Sequence, residues 1–178
     1  TAANGARYVF SADLDGDGDF DVLSASQFDD KVAWYENTDG LGGFGPQQII
    51  STDTDGAAAV IAADIDDDGD NDVVSASASD HKIAWYENID GLGGFGSQQV
   101  ITTAATIASS VFATDLDGDS DTDVLSASIN DDKLAWYENS VFNDCNANGA
   151  PDDCDIALAI SSDCDNNGTL DECDIAEG

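Results

Sequence analysis

The chain has 178 residues, 42% of them hydrophobic, and its 38 acidic side chains against four basic ones give a formal charge of −34. That hydrophobic content removes the signature of intrinsic disorder, while Arg7, Lys31, Lys82 and Lys133 are too few and scattered to displace phosphate counterions, which excludes nucleic acid and anionic membranes as partners. No run of about 18 apolar residues is present to insert into a bilayer, and self-repulsion of this size disfavours a compact state unless cations neutralise it.

Self-similarity dominates the chain. Asp13, Asp64 and Asp115 are 51 residues apart, as are Trp34, Trp85 and Trp136, a period in the solenoid and propeller range. Each unit reads as an apolar strand, an acidic loop, a Val/Leu-Ser-Ala-Ser strand, a polar turn and a strand carrying Ala-Trp-Tyr-Glu-Asn. A Gly-rich turn and a fourth strand follow in the first two units. In the first unit, period-two alternation predicts strands over 8–14, 21–27, 31–37 and 47–51, and four short strands make a propeller blade. The expected fold is all-β: three four-stranded propeller-type blades forming an incomplete or open β-propeller. The third unit runs from Ser140 to Phe142 into a different composition without a fourth strand, which sets the expected domains at 1–142 and 143–178.

The first acidic stretch is Asp-x-Asp-x-Asp-Gly-x-x-Asp, with Asp13, Asp15, Asp17 and Asp21 at loop positions one, three, five and nine. Hard calcium takes such an oxygen-rich shell. Gly18 suits the sharp turn at position six, and the backbone carbonyl of Asp19 is expected to serve at seven with its side chain toward solvent. The second loop repeats the plan with Asp64, Asp66, Asp68, Gly69, Asp70 and Asp72, and the third with Asp115, Asp117, Asp119, Asp121 and Asp123. Ser120 replaces the glycine in the third loop, and a non-Gly residue at positive φ costs about 1 kcal/mol or more, so this site is expected to be weaker. A helical EF-hand would carry Glu at position twelve, where Ser24, Ser75 and Ser126 stand, so these are read as β-loop-β sites. Solubilising turns are the plainer reading of Asp-Gly runs, and three copies in register argue against it.

Gly40, Gly42, Gly43 and Gly45, matched by Gly91, Gly93, Gly94 and Gly96, mark the long turn before the fourth strand. A phosphate cradle would need a following helix and a nearby Lys or acidic partner, which the pattern lacks. The Trp-Tyr pairs are read as packing between blades rather than sugar platforms. Lys31, Lys82 and Lys133 sit beside Asp30, Asp80 or His81, and Asp132, and are expected to meet local carboxylates. His81, the one histidine, is read as ordinary surface. A Ser-His-Asp relay would hang on it alone, and the acidic pairs are absorbed by the loops, so no enzyme is expected.

All four cysteines fall between Cys145 and Cys173. An even number in a short acidic segment favours two disulfides and an oxidising, extracellular compartment over zinc, with three pairings open. Two further loops lie here: Asp144, Asn146, Asn148, Asp152 and Asp155 with the carbonyl of Ala150, then Asp163, Asp165, Asn167, Asp171 and Asp174 with the carbonyl of Thr169. Asn167-Gly168-Thr169 also forms a glycosylation sequon. With no signal-peptide pattern at the start, the chain reads as mature or trimmed.

Asp-Leu-Asp-Gly-Asp-Gly-Asp-Phe-Asp, Ala-Trp-Tyr-Glu-Asn and Gly-Gly-Phe-Gly resemble the FG-GAP/VCBS repeats of integrin-α-type propellers over residues 1 to about 140. The resemblance implies blades, calcium between the first two strands of each, and extracellular adhesion or carbohydrate-associated roles. The C-terminal pair resembles dockerin loops and thrombospondin type 3 repeats. The expectation is a secreted calcium-binding structural or adhesion protein with about five Ca2+ sites and an extracellular protein or glycan ligand. The alternatives are a filament subunit that self-associates through open blade edges, and a non-catalytic segment of a larger secreted carbohydrate-active enzyme.

Overall fold

A computed structural model describes residues 3–118 and 121–139, all within the first of the chain's two units, Thr1–Asn139. The expected boundary at 142/143 and the cysteine-bearing loops of 143–178 lie outside these residues.

The described residues form strands and no helix. The first sheet holds β1 (Ala6–Ala12), β2 (Asp21–Ser26), β3 (Lys31–Tyr35) and β4 (Gln48–Ser51). The second holds β5 (Ala57–Ala63), β6 (Asp72–Ser77), β7 (Lys82–Tyr86) and β8 (Gln99–Thr102). The third comprises, among the described residues, β9 (Ala108–Thr114), β10 (Asp123–Ser128) and β11 (Lys133–Tyr137). Strands pair in sequence order and antiparallel, as blades do.

Register follows the side-chain alternation. Leu23 pairs with Trp34 and Ala25 with Val32, placing four apolar groups on one face, while Val22 and Tyr35 pair on the other. The second sheet repeats this with Val74 opposite Trp85 and Val73 opposite Tyr86. Each blade is therefore apolar on both faces, and the blades pack face to face. Leu14, Leu23, Val32 and Trp34 of the first meet Ala57, Val60, Val73 and Tyr86 of the second. Ile61, Ile65, Val74 and Ile83 of the second meet Ala108, Val111 and Val124 of the third. Burial of each such aliphatic side chain stabilises by about 1.5–3 kcal/mol.

β1 runs two residues earlier than expected and stops at Ala12, because the Leu14 amide donates to Asp21 Oδ2 at 3.0 Å and the chain has by then turned into the acidic loop. β3 likewise stops at Tyr35, since the Asn37 amide donates to Asp21 Oδ1 at 2.8 Å instead of to a neighbouring strand.

The hairpin between the second and third strands ties each blade to the next. Asp30, at φ 52°, accepts from the Gly56 amide at 2.8 Å through Oδ1. His81, at φ 62°, does the same for the Ile107 amide through Nδ1 at 3.1 Å, so it is an interblade tie and not ordinary surface. The Ile107 N–H is a fixed donor, which assigns the ring proton to Nε2 and leaves the Ala78 carbonyl as a neighbour only. The lysines pair one residue back from the expected aspartates in two blades: Lys31 with Asp29 at 2.8 Å and Lys133 with Asp131 at 3.1 Å, while Lys82 meets Asp80 at 2.9 Å as expected.

Gly93 shows how closely blades approach. A Cβ built there overlaps the Trp34 ring of the preceding blade, and its φ of +80° disfavours any side chain. Gly42 has a similar φ of +91° with nothing within 4 Å. Gly93→Ala is expected to cost about 2–4 kcal/mol through overpacking and strain together, and Gly42→Ala about 1 kcal/mol from strain alone. Equal losses in urea unfolding would contradict this account of the blade contact.

Candidate metal centres

Each acidic loop leaves the first strand of its blade and returns as the second. In the first loop, Asp13 curls the backbone under itself: Oδ1 accepts from the Gly16 amide at 2.8 Å and Oδ2 from the Gly18 amide at 3.0 Å. Asp17 Oδ1 accepts from the Asp19 amide at 2.8 Å. In the second loop, Asp64 Oδ2 accepts from Gly69 at 2.9 Å and Asp68 Oδ1 from Asp70 at 2.9 Å. In the third, Asp115 Oδ1 accepts from Gly118 at 2.6 Å. Gly18 and Gly69 have φ of 93° and 96°, as expected at position six. Position four is also left-handed, with Gly16 at 72°, Gly118 at 88° and, without a glycine, Asp67 at 63°, a residue type that tolerates this region. Asp119 and Ser120 lie outside the described residues.

The curl gathers oxygens. One carboxylate oxygen from each of Asp13, Asp15 and Asp17 lies within 4.8 Å of the others, and the same holds for Asp64, Asp66 and Asp72, and for Asp115, Asp117 and Asp123. A hard cation takes oxygen ligands of this kind. In the second loop, Asp64 Oδ1 and Asp66 Oδ1 are buried with no hydrogen-bond donor, an arrangement that is costly for a carboxylate unless a cation meets it. The residues present therefore fit a divalent ion.

Electrostatics point the same way. Burial raises the carboxyl of Asp66, and the charges of Asp68, Glu87 and Asp64 add to it. Burial also raises Asp15, with Asp21, Asp17 and Glu36 contributing. Glu36 and Glu87 come from the Ala-Trp-Tyr-Glu-Asn strand end, which the loop spacing did not mark as part of the site; their fixed distance from each loop in successive repeats was the available signal.

Position nine has a second task. Asp21, Asp72 and Asp123 are fully buried. Each clips two backbone amides, one at loop position two and one at the end of the third strand: Leu14 and Asn37, Ile65 and Asn88, Leu116 and Asn139, all at 2.7–3.1 Å. Burial pushes Asp72 up to about 6 in spite of these bonds. Burial acts on Asp123 too, but the Asn139 and Leu116 amides outweigh it and hold that carboxyl low.

At position seven, Asp19 and Asp70 do not point freely to solvent. Their carboxylates stand against Gly40 and Gly91 of their own blades, where a Cβ would collide with them. The glycine turn itself is closed by Asp39, whose Oδ1 accepts from Leu41 at 2.9 Å and Gly43 at 2.8 Å. Those amides hold the Asp39 carboxyl below its ordinary value and are taken up by it, against a phosphate cradle.

Neighbouring loops are linked. Asn71 Nδ2 donates to the Asp13 carbonyl at 2.9 Å, Asn88 Nδ2 to the Leu14 carbonyl at 2.9 Å, and Asn139 Nδ2 to the Ile65 carbonyl at 2.6 Å. The last residue of Ala-Trp-Tyr-Glu-Asn thus reaches back to the acidic loop of the blade before it.

No curated protein matches the chain. Among solved structures, one described as the basis of specific recognition of non-reducing terminal N-acetylglucosamine by an Agrocybe aegerita lectin aligns with a TM-score of 0.51 and 23% identity over 75% of this chain. The alignment spans 38% of that protein's length, and at this identity it speaks to fold alone. The family model for the FG-GAP-like repeat matches residues 13–75 and again 64–126. Both matches start on the first aspartate of an acidic loop and run into the second strand of the following blade, together covering more than half of the sequence, so the chain belongs to the FG-GAP-like repeat family.

Proposed function

We propose that the chain is a calcium-stiffened array of blades from an extracellular, non-enzymatic repeat protein that supports binding to a protein or glycan. The carrying observation is the buried, donor-free oxygens of Asp64 and Asp66 in the second loop, whose triad at positions one, three and nine recurs in the third loop, while the first loop gathers positions one, three and five. Calcium, when bound, supplies the positive charge that offsets repulsion among these carboxylates. Asp13, Asp15 and Asp17, then Asp64, Asp66 and Asp72, then Asp115, Asp117 and Asp123 would hold it. The chain's own part is to curl each loop through glycine turns and to anchor it through the position-nine clip. The paired loops and cysteines of 143–178 extend the same reading to about five sites and an oxidising compartment.

A surface role in glycan recognition is supported by family membership and by the fold shared with the Agrocybe aegerita lectin structure. The test is isothermal titration with calcium, followed by a glycan array that includes N-acetylglucosamine-terminated sugars, in calcium and in chelator. Saturable calcium heat with calcium-dependent array binding is expected. Absence of calcium heat overturns the metal reading, and an empty array moves the partner to the protein class.

A further inference from the structure

The position-nine clip and the asparagine that closes Ala-Trp-Tyr-Glu-Asn meet at position two of an acidic loop. Leu14 is held there in three ways. Its side chain is buried between the first and second blades, its amide donates to Asp21 Oδ2 at 3.0 Å, and its carbonyl accepts from Asn88 Nδ2 of the second blade at 2.9 Å. Ile65 repeats the arrangement one blade on. Its side chain is buried against the third blade, its amide donates to Asp72 Oδ2 at 3.1 Å, and its carbonyl accepts from Asn139 Nδ2 at 2.6 Å.

Each asparagine is bound in turn to the acidic loop of its own blade. The Asn88 amide donates to Asp72 Oδ1 at 2.7 Å, and the Asn139 amide to Asp123 Oδ1 at 2.8 Å. Asn88 Nδ2 also reaches the Asn71 carbonyl at 3.3 Å, and its Oδ1 accepts from the Gly93 amide at 3.2 Å. The residue is 1% exposed, so water does not substitute for these partners. A second link joins the first two loops: Asn71, at position eight, donates through Nδ2 to the Asp13 carbonyl at 2.9 Å. The result is one unbroken line of contacts through the position-nine carboxylates of all three loops, from Asp21 to Leu14, Asn88, Asp72, Ile65, Asn139 and Asp123.

We infer that Asn88 and Asn139 are positioning residues that couple the three loops, so that filling one loop raises the affinity of its neighbours; this rests on the reading of the loops as calcium sites. An ion in the second loop draws in Asp72, which fixes the Asn88 backbone and aims its side-chain amide at the Leu14 carbonyl. Leu14 then presents its own amide to Asp21. The first loop is already curled when its ion arrives and loses less conformational freedom on binding. Direct electrostatics has the opposite sign, because ions in adjacent loops repel. Asn88 serves the first pair of loops and Asn139 the second, so the two links separate by mutation. Coupling between binding sites is reciprocal, so the first loop must act on the second as strongly as the second acts on the first.

Amide hydrogen exchange of the whole chain, resolved by NMR across a titration of free calcium, gives each loop its own midpoint through the amides of Gly18, Gly69 and Gly118. Asp66→Ala removes a ligand of the second loop and leaves the Asp72 clip in place. The midpoints of the first and third loops are then expected to rise about fivefold or more. Losing a carboxylate together with its ion leaves the second loop more negative, so electrostatics alone would lower them. Asp15→Ala should raise the second-loop midpoint by the same factor as Asp66→Ala raises the first. Asn88→Ala should raise the first-loop midpoint, make it insensitive to Asp66→Ala and leave the third loop coupled, and Asn139→Ala should do the reverse. The apolar blade contacts and the Asp30–Gly56 bond remain in both variants. Asn139 is only half-buried, so Asn139→Ala carries the test if Asn88→Ala does not fold. First- and third-loop midpoints that ignore Asp66→Ala overturn the coupling and leave the metal reading standing. So does an asparagine variant that shifts the first and third loops alike, the mark of general loosening. Absence of calcium-dependent protection in every loop overturns both.

Discussion

Replacing chelator with calcium at about 100 times its dissociation constant is expected to raise the calorimetric melting temperature by on the order of 20 °C. Each site contributes about 2.7 kcal/mol under that condition, three sites about 8 kcal/mol, and each kcal/mol shifts the melting of a domain this size by about 2–4 °C. The size of the gain should depend on pH. Asp72 has a folded value of about 6, above its ordinary 3.8, so the metal-free folded state binds the proton more tightly than the unfolded one. Its contribution is fully present below about pH 4 and is lost as pH rises through about 6. Asp15 and Asp66 are raised in the same direction. Carboxyls held low, such as Asp29 and Asp131, lose their contribution only at more acid pH, which leaves the window between about 4 and 6 to the loop carboxylates. Calcium displaces those protons, so its stabilisation should be larger at pH 7.5 than at pH 5. An equal gain at both would show that the ion is held elsewhere.

Asp72→Ala is expected to cost about 3–5 kcal/mol in calcium and a smaller amount in chelator. The substitution strips partners from two buried amides, Ile65 and Asn88, at about 1–3 kcal/mol each. In calcium it also removes a ligand oxygen from the second triad. In chelator the loss is partly offset, because a buried carboxylate crowded by Asp66 and Asp68 goes with it. Chemical denaturation in the two buffers separates these contributions. A loss that is the same in both would make Asp72 a structural clip alone, with no part in holding the ion.

The blade organisation was legible because its determinants are local and repeated. Alternation over Asp21–Ser26 and Lys31–Tyr35 fixes which face each side chain takes, and the 51-residue period shows the same choice made three times. The aspartate spacing named the loops, since a ligand shell closed by one turn of chain leaves its geometry in the sequence. What tertiary structure alone decided lies between repeats. Nothing adjacent to His81 marks it as the acceptor for Ile107, and nothing beside Asn88 points to the Leu14 carbonyl, 74 residues away. Gly93 reads as a turn residue until Trp34 is seen beneath it. Position nine read as a ligand, and its clip on two backbone amides emerged only when strand ends met. Local periodicity specifies a blade because backbone sterics and side-chain alternation act over a few residues. Contacts between blades depend on which surfaces the packed sheets bring together, so the repeated Trp-Tyr spacing marks packing residues without naming their partners.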